Sequence, residues 1–335
     1  MRIEEMLSNG EKTFGDMARY LQRLLPQKIP VGYSIKPVLS NIESEENIRN
    51  GVLALKDFMS IFYGLLIEDG NRYEKLRVRT NKTNRTPSLA VDFPFIYHVR
   101  SVLLNIGYHS VLRGDVLSFS GLNTLAIIIC CEGMESTSKI SVPKLMDCLR
   151  FLSECGMYFE GIESIGATNE GLVEVTYPDA PAMLTGLKVM SVAQRDLKWK
   201  TNDDIFLRCD YRALSNDKAD IADILRDFVS PFSAEIQECI LHMHLKCIEK
   251  GLGCTVKTGL KNSFTYSYKK NIVWELSSSF ASGYRIFVKM PNNDMLELLT
   301  PLLQELTTNG CGCENKRFCK PCEKGCHGFY ISLPG

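Results

Sequence analysis

The sequence lacks a net charge, a long apolar run and an apolar stretch among its first residues. Lys and Arg number 39 and Asp and Glu also number 39, so the formal charge is +0, which disfavours a whole-chain electrostatic grip on nucleic acid or an anionic membrane. The most apolar run, 125–131, is far shorter than the ~18 residues of a membrane-spanning helix. Because the first residues are charged, we expect no secretory signal. These features predict a cytoplasmic protein without a membrane partner.

The common catalytic signatures are also missing from the sequence. It contains no Gly-x-Ser-x-Gly, no Walker loop, no Gly-x-Gly-x-x-Gly and no His-Glu-x-x-His. These patterns mark hydrolases, nucleotide-binding folds and zinc proteases. Their absence favours a protein that acts by binding over one that acts by catalysis.

Cysteine, in contrast, is plentiful and unevenly placed. Of the 13 cysteines, eight are scattered between Cys130 and Cys254 and five lie within the last 25 residues. A disulfide framework belongs to short secreted chains, so it is not expected here. The scattered cysteines sit mostly in apolar surroundings, and we expect them to be buried and to behave as small hydrophobic side chains.

The cysteine-rich segment (residues 311–327) predicts a metal site. Its spacing is C-x-C-x5-C-x2-C-x3-C-H, and such short spacings on turns bring thiolates together around a tetrahedral zinc ion. Four thiolates are expected from the five cysteines, with His327 in reserve, while an iron–sulfur cluster or a set of free thiols is the alternative. The segment resembles a zinc ribbon in its cysteine spacing alone. The candidate ligands are Cys311, Cys313, Cys319, Cys322 and Cys326.

A zinc bound by four protein ligands has no open position for chemistry, so the predicted role is structural. The segment carries few apolar residues, and metal binding can supply ~10 kcal/mol or more toward ordering such a chain. We expect the metal to hold a last strand, 328–333, against the preceding sheet.

The hydrophobic periodicity predicts an α+β fold. The N-terminal part reads as helical and mixed, with helices near 11–25, 45–68, 141–155 and 179–195 and strands near 157–165, 172–177 and 205–211. The stretch 117–131 fits a buried strand or a helix segment. The C-terminal part reads as helices near 217–229 and 233–250, an antiparallel meander over 263–289, a helix near 294–307 and the zinc-ribbon-like segment. The predicted domains are 1–210 and 211–335.

Three further patterns have both a functional and a structural interpretation. Six basic residues between Arg72 and Arg85 could contact phosphates, although a solvated loop is the favoured interpretation because the whole chain is neutral. His244 and Cys247 share a helix face, which allows a second metal but is more typical of packing. The aromatic residues of the meander could stack on a flat ligand, although such residues more often pack under helices. The basic residues are Arg72, Lys75, Arg77, Arg79, Lys82 and Arg85; the aromatic residues are Tyr266, Tyr268, Trp274, Tyr284 and Phe287.

The sequence thus predicts a zinc-binding cytoplasmic protein that acts as a binding module for a small molecule, a protein or another macromolecule. Two alternatives stay open. One is a thiol- or metal-dependent redox enzyme that uses the C-terminal cysteines. The other is a nucleic-acid-binding protein that uses Arg72–Arg85.

Overall fold

The structure, a computed structural model, describes most of the chain and divides it into two compact units, 1–217 and 218–335. Ser215 belongs to the first unit, where it forms a β-bridge with Ile35. The predicted domains, 1–210 and 211–335, stay a prediction. The described residues are 14–69, 72, 77–79, 90–92, 94–120, 142–162, 172–196, 205–217, 219–258, 261–279, 283–289 and 328–333.

In its described part, the first unit combines five helices with short antiparallel strands. The helices are α1 (Phe14–Gln22), α2 (Glu45–Glu68), α3 (Pro94–His109), α4 (Val142–Glu154) and α5 (Ala182–Asp196). The strands are β1 (Arg77–Arg79), β2 (Ala90–Asp92), β3 (Val111–Arg113), β4 (Val116–Ser120), β5 (Tyr158–Glu160) and β6 (Leu172–Thr176). Strands β1 and β2 pair with each other, and the other four form a sheet of order β3-β4-β6-β5. The stretch 117–131 is therefore a strand as far as Ser120, and the rest of it lies outside the described residues.

Helix α2 is the central helix of the first unit and has the predicted bounds. Its first turn is capped by Ser44, whose side chain accepts a 3.2 Å hydrogen bond from the backbone N–H of Asn47. The predicted apolar stripe is buried along its whole length, from Ile48 to Leu66. Among the described residues, α2 alone is long and apolar enough to cross a membrane by length and composition. Because its stripe packs inside the unit, we interpret it as a core helix.

Two glycines let α2 and α5 approach at backbone distance. A methyl group added at Gly51 would lie 2.6 Å from the amide nitrogen of Gly186 and 2.9 Å from the carbonyl oxygen of Ala182. A methyl group added at Gly186 would overlap the carbonyl of Gly51. The crossing therefore needs glycine on both helices.

The predicted strand at 205–211 is wrong. Residues 205–208 instead form one helical turn that Cys209 ends in the left-handed conformation, at φ 46°. The Asp210 N–H donates to the Ile205 carbonyl and the Cys209 N–H donates to the Phe206 carbonyl, both at 3.0 Å. This is the Schellman pattern, in which glycine is the usual residue at the position of Cys209. The alternation in the sequence is misleading because every residue from 205 to 210 is buried.

The second unit packs two helices on an antiparallel sheet and confirms the predicted meander. Its elements are α6 (Ile221–Val229), α7 (Ala234–Glu249), β7 (Gly253–Lys257), β8 (Lys261–Tyr268), β9 (Asn271–Ser279), β10 (Gly283–Lys289) and β11 (Gly328–Leu333). The sheet order is β11-β10-β9-β8-β7. Strand β7 was not predicted, while the predicted last strand is present as β11. Together with the first unit, this sheet confirms the α+β fold class.

The aromatic residues of the meander form the core of the second unit. Tyr266 and Trp274 are fully buried and Tyr284 is nearly so, all within one cluster with residues of α6 and α7. Their rings are therefore not available as a stacking surface for a flat ligand. Of the predicted set, Tyr268 is exposed and Phe287 is half-buried.

Candidate functional site

The residues on either side of the stretch 290–327, which contains the cysteine-rich segment, are neighbours in the sheet of the second unit. Strands β10 and β11 are antiparallel neighbours, and their last described pair joins Lys289 with Gly328. Gly328 directly follows His327 in the sequence. Paired Cα atoms of neighbouring strands are about 4.5–5.5 Å apart. Lys289 and Gly328, the described residues on either side of 290–327, are therefore close neighbours in the sheet.

The predicted ligands themselves lie outside the described residues, namely Cys311, Cys313, Cys319, Cys322, Cys326 and His327. The predicted helix near 294–307 lies there as well. Across the part of the chain that the structure does describe, no group of three or more His, Cys, Asp or Glu side chains could hold a metal ion. The metal site stays a prediction.

The described scattered cysteines form no disulfide bond with one another. Cys148, Cys155, Cys209 and Cys247 are buried, and Cys239 and Cys254 are half-buried. Burial raises the pKa of Cys148 to about 12 and that of Cys254 to about 11. Since the thiolate is the reactive form, these sulfur atoms are poor nucleophiles at neutral pH.

His244 and Cys247 share the buried face of α7, and each contacts an aromatic residue of the sheet. His244 Nδ1 lies 2.8 Å from the Tyr266 hydroxyl, and the indole N–H of Trp274 donates to Cys247 Sγ at 3.2 Å. The Tyr266 and Trp274 rings stack at 4.0 Å with an interplanar angle of 5°. These contacts join the helix to the sheet, and they support the packing interpretation over a second metal.

The titration of His244 makes the second unit sensitive to acid. Burial lowers the pKa of His244; Asp220 raises it and Arg226 lowers it by smaller amounts. An unfolded histidine titrates near pH 6.5, so this contribution to stability is complete above about pH 6.5 and is lost as the pH falls below it. One such group changes the free energy of unfolding by at most about 1.4 kcal/mol per pH unit.

We expect His244→Gln to flatten the pH dependence of stability of the second unit below pH 6.5, because glutamine stays neutral and can accept the Tyr266 hydrogen bond. The measurement is urea unfolding followed by Trp274 fluorescence in a Trp199→Phe background. His242 is exposed on the same helix, so His242→Gln is the matched control and should keep the slope. An equal slope in parent and His244→Gln would contradict this assignment.

A second polar cluster joins the C-terminal ends of α3 and α5. Arg195 donates to Asn105 Oδ1 at 2.6 Å, and its other terminal nitrogen lies 3.2 Å from His109 Nε2. The guanidinium also lies 4.3 Å from the ring centre of Tyr108, whose hydroxyl donates to Asp196 at 2.9 Å. Burial lowers the pKa of His109, and the neighbouring Arg195 and Lys188 lower it further. A neutral His109 can therefore accept a hydrogen bond from Arg195.

The basic stretch is only partly described. Arg72 forms a bidentate ion pair with Glu154, with N–O distances of 2.8 and 3.3 Å. Arg77 and Arg79 lie on strand β1, and Lys75, Lys82 and Arg85 lie outside the described residues. The pairing of Arg72 with a carboxylate offsets part of the local charge, and nucleic-acid binding stays a prediction.

The turn after α5 contains an ion cluster that the sequence did not predict. Asp210 accepts from Arg208 and from Arg212, both at 3.2 Å, and each of the three side chains is at most 10% exposed. The available signal is the alternation of three charges, Arg-x-Asp-x-Arg, inside an apolar stretch. Charged side chains at such positions are buried only when they are paired.

Comparison with known proteins gives no further guide to these sites. No protein family, no curated protein and no solved structure matches this chain.

Proposed function

We propose that the protein is a zinc-stabilised binding module of the cytoplasm, in which the cysteine-rich segment closes around one structural Zn²⁺. Four thiolates come from Cys311, Cys313, Cys319, Cys322 and Cys326, with His327 in reserve. The observation that carries the proposal is the pairing of Lys289 with Gly328. It supports a closed stretch, residues 290–327, that contains the cysteine-rich segment at its C-terminal end.

Strand pairing favours metal binding on entropic grounds. Bringing the ends of a flexible chain together costs conformational entropy that grows with its length. The β10–β11 ladder and the ion close the same stretch, residues 290–327, so strand pairing and metal binding are expected to stabilise each other. Lys316, Arg317, Lys320 and Lys324 lie between these cysteines in the sequence and would offset the negative charge left when four thiolates surround Zn²⁺.

The number of zinc ligands favours a role in binding over one in catalysis. The partner would be a small molecule, a protein or another macromolecule. Four thiolates complete the tetrahedron and leave no position for a water or a substrate. Burial raises the pKa of five described thiols outside the segment, so they are poor nucleophiles at neutral pH: Cys148, Cys155, Cys209, Cys247 and Cys254. A redox enzyme would have to use the cysteine-rich segment itself.

The test is the metal content of the full chain, purified without added metal. We expect about one zinc per chain, retained through gel filtration, and its loss on Cys319→Ser combined with Cys322→Ser. Cys239→Ser is the matched control, because Cys239 is a half-buried thiol outside the segment. A metal-free chain overturns the proposal, and bound iron with visible absorbance favours the redox alternative instead.

A further inference from the structure

The hairpin between β8 and β9 ends in a two-residue turn made of lysines. Tyr268 and Asn271 are its last paired residues, so Lys269 and Lys270 form the turn. Both lysines have positive φ, 46° and 68°, as the commonest two-residue hairpin turn requires. Asparagine followed by glycine adopts this turn readily, whereas the Cβ of lysine is strained there. The shape of the turn therefore does not account for lysine at either position.

The hairpin tip (residues 268–272) is exposed at every position. Two of its side chains are largely apolar, namely Tyr268, which is 45% exposed, and Ile272, which is 42% exposed. The Lys269 ammonium lies 5.3 Å from the centre of the Tyr268 ring. Within the described residues, Lys269 and Lys270 form no ion pair. The tip thus presents two cations between two apolar surfaces.

The chain around the tip is basic, although the whole chain is neutral. Between Glu249 and Glu275 the sequence contains five lysines and no Asp or Glu. One of them, Lys250, is exposed and lies between α7 and Gly253, the first residue of β7. Gly253 pairs with Ser267, next to the tip, so Lys250 lies at the same end of the sheet.

Glu249, which flanks this stretch at the same end, is a carboxylate shared by residues of α7 and the residue that follows it. Its oxygen lies 2.9 Å from Lys246 Nζ, and Lys250 and His242 are weaker neighbours. Glu249 therefore offsets charge at the end of α7 rather than at the tip.

An anionic lipid surface fits this combination of side chains. Tyrosine is enriched where water meets the acyl chains, and lysine keeps its ammonium among the headgroups while its stem lies deeper. Lysines are attracted to anionic lipids within about one Debye length, and the cytoplasmic leaflet is the anionic one. A nucleic acid could use the lysines and stack on Tyr268, but it has no apolar surroundings for Ile272.

We propose that the hairpin tip and Lys250 dock this protein onto an anionic membrane surface. Tyr268 and Ile272 enter the layer of lipid headgroups, and Lys250, Lys269 and Lys270 bind the phosphates and carboxylates of the lipids. The proposal does not depend on the proposed zinc, because all of these residues lie outside the cysteine-rich segment.

The test is sedimentation of the full chain with vesicles of equal parts phosphatidylserine and phosphatidylcholine, and with vesicles of phosphatidylcholine alone. We expect binding to the mixed vesicles, and binding at least about ten-fold weaker to phosphatidylcholine alone. Lys269→Asn combined with Lys270→Gly removes two charges and supplies the preferred turn residues. It should weaken binding about ten-fold or more and leave the chain at least as stable in urea. Ile272→Thr should weaken binding several-fold, since threonine keeps the β-branch but loses apolar surface.

The matched control is Lys257→Gln combined with Arg285→Gln, which removes the same charge from two exposed residues of the same sheet. Both residues belong to the cross-strand row of Ser263, which lies about 17 Å along β8 from Tyr268. This variant should bind the mixed vesicles like the parent.

The proposal would be overturned by a lack of binding to the mixed vesicles, by equal binding of the parent and the tip variants, or by an equal loss in the control. Binding of an oligothymidine that the tip variant loses, without binding of vesicles, would assign a single-stranded nucleic acid instead. Zinc content should be the same in every variant, so this outcome and that of the zinc test are distinguishable.

Discussion

Replacing Gly51 with alanine is expected to lower the free energy of unfolding of the first unit by about 1–3 kcal/mol, as overpacking does in well-packed interiors. The new methyl group would meet the amide nitrogen of Gly186 at 2.6 Å and the carbonyl oxygen of Ala182 at 2.9 Å. Both are backbone atoms, which cannot rotate away as a side chain can. Helices α2 and α5 would have to separate, and the contacts of the buried stripe of α2 would weaken along the crossing.

The same helix offers a control of opposite sign. Gly64 lies in α2, and a methyl group added there has nothing within 4 Å. Alanine is a better helix former than glycine, so Gly64→Ala should raise stability by about 0.5–1 kcal/mol. Both variants can be compared by native-state hydrogen exchange at the amides of α2 in increasing urea. A shift of the same sign in the two variants would refute the proposed close crossing.

Removing zinc is expected to release β11 from the sheet while the remaining strands stay protected. As an edge strand, β11 pairs with β10 alone. If the ion orders the chain that precedes Gly328, its loss withdraws ~10 kcal/mol of ordering free energy from that chain. The amides of β11 should then exchange at least about 100-fold faster, since each 1.4 kcal/mol corresponds to ten-fold.

The measurement is hydrogen exchange of 328–333 before and after treatment with a strong chelator, with strand β9 as the internal reference. Strand β9 has a neighbour on each side and its Trp274 is fully buried, so its protection should change little. Equal protection of β11 with and without metal would show that the ladder forms independently of the ion. In that case zinc could still be bound, but it would not be needed to hold β11 in the sheet.

Helix ends that are determined by a capping residue or a glycine were predicted from the sequence. Ser44 before an apolar stripe gave the first residue of α2, and the glycines at 156 and 251 mark the ends of α4 and α7, where both have positive φ. The turn at 205–210 was missed because a cysteine occupies the left-handed position that glycine usually takes. Strand β7 was missed because Cys254 and Val256 are its only half-buried residues, and glycine and lysine at its ends are poor strand formers.

The candidate sites also divide into those with a local sequence pattern and those that depend on distant residues. Cysteine spacing is a local pattern, so the metal ligands can be proposed from the sequence alone. The polar contacts of Arg195 join residues about ninety positions apart, Asn105 and His109, and no local pattern predicts them. The pairing of Arg208 and Arg212 with one carboxylate likewise becomes visible only after burial is known. No local rule could have located that site.

The adjacency of β10 and β11 also bears on how this protein can diverge. Residues 290–327 join two strands that are antiparallel neighbours in the sheet. Such a connection can be lengthened, shortened or exchanged without altering the strand order, since the entropy of closing a loop grows only slowly with its length. After gene duplication, one copy could therefore replace residues 290–327 and keep the sheet. Selection can then act on this stretch and on the sheet separately.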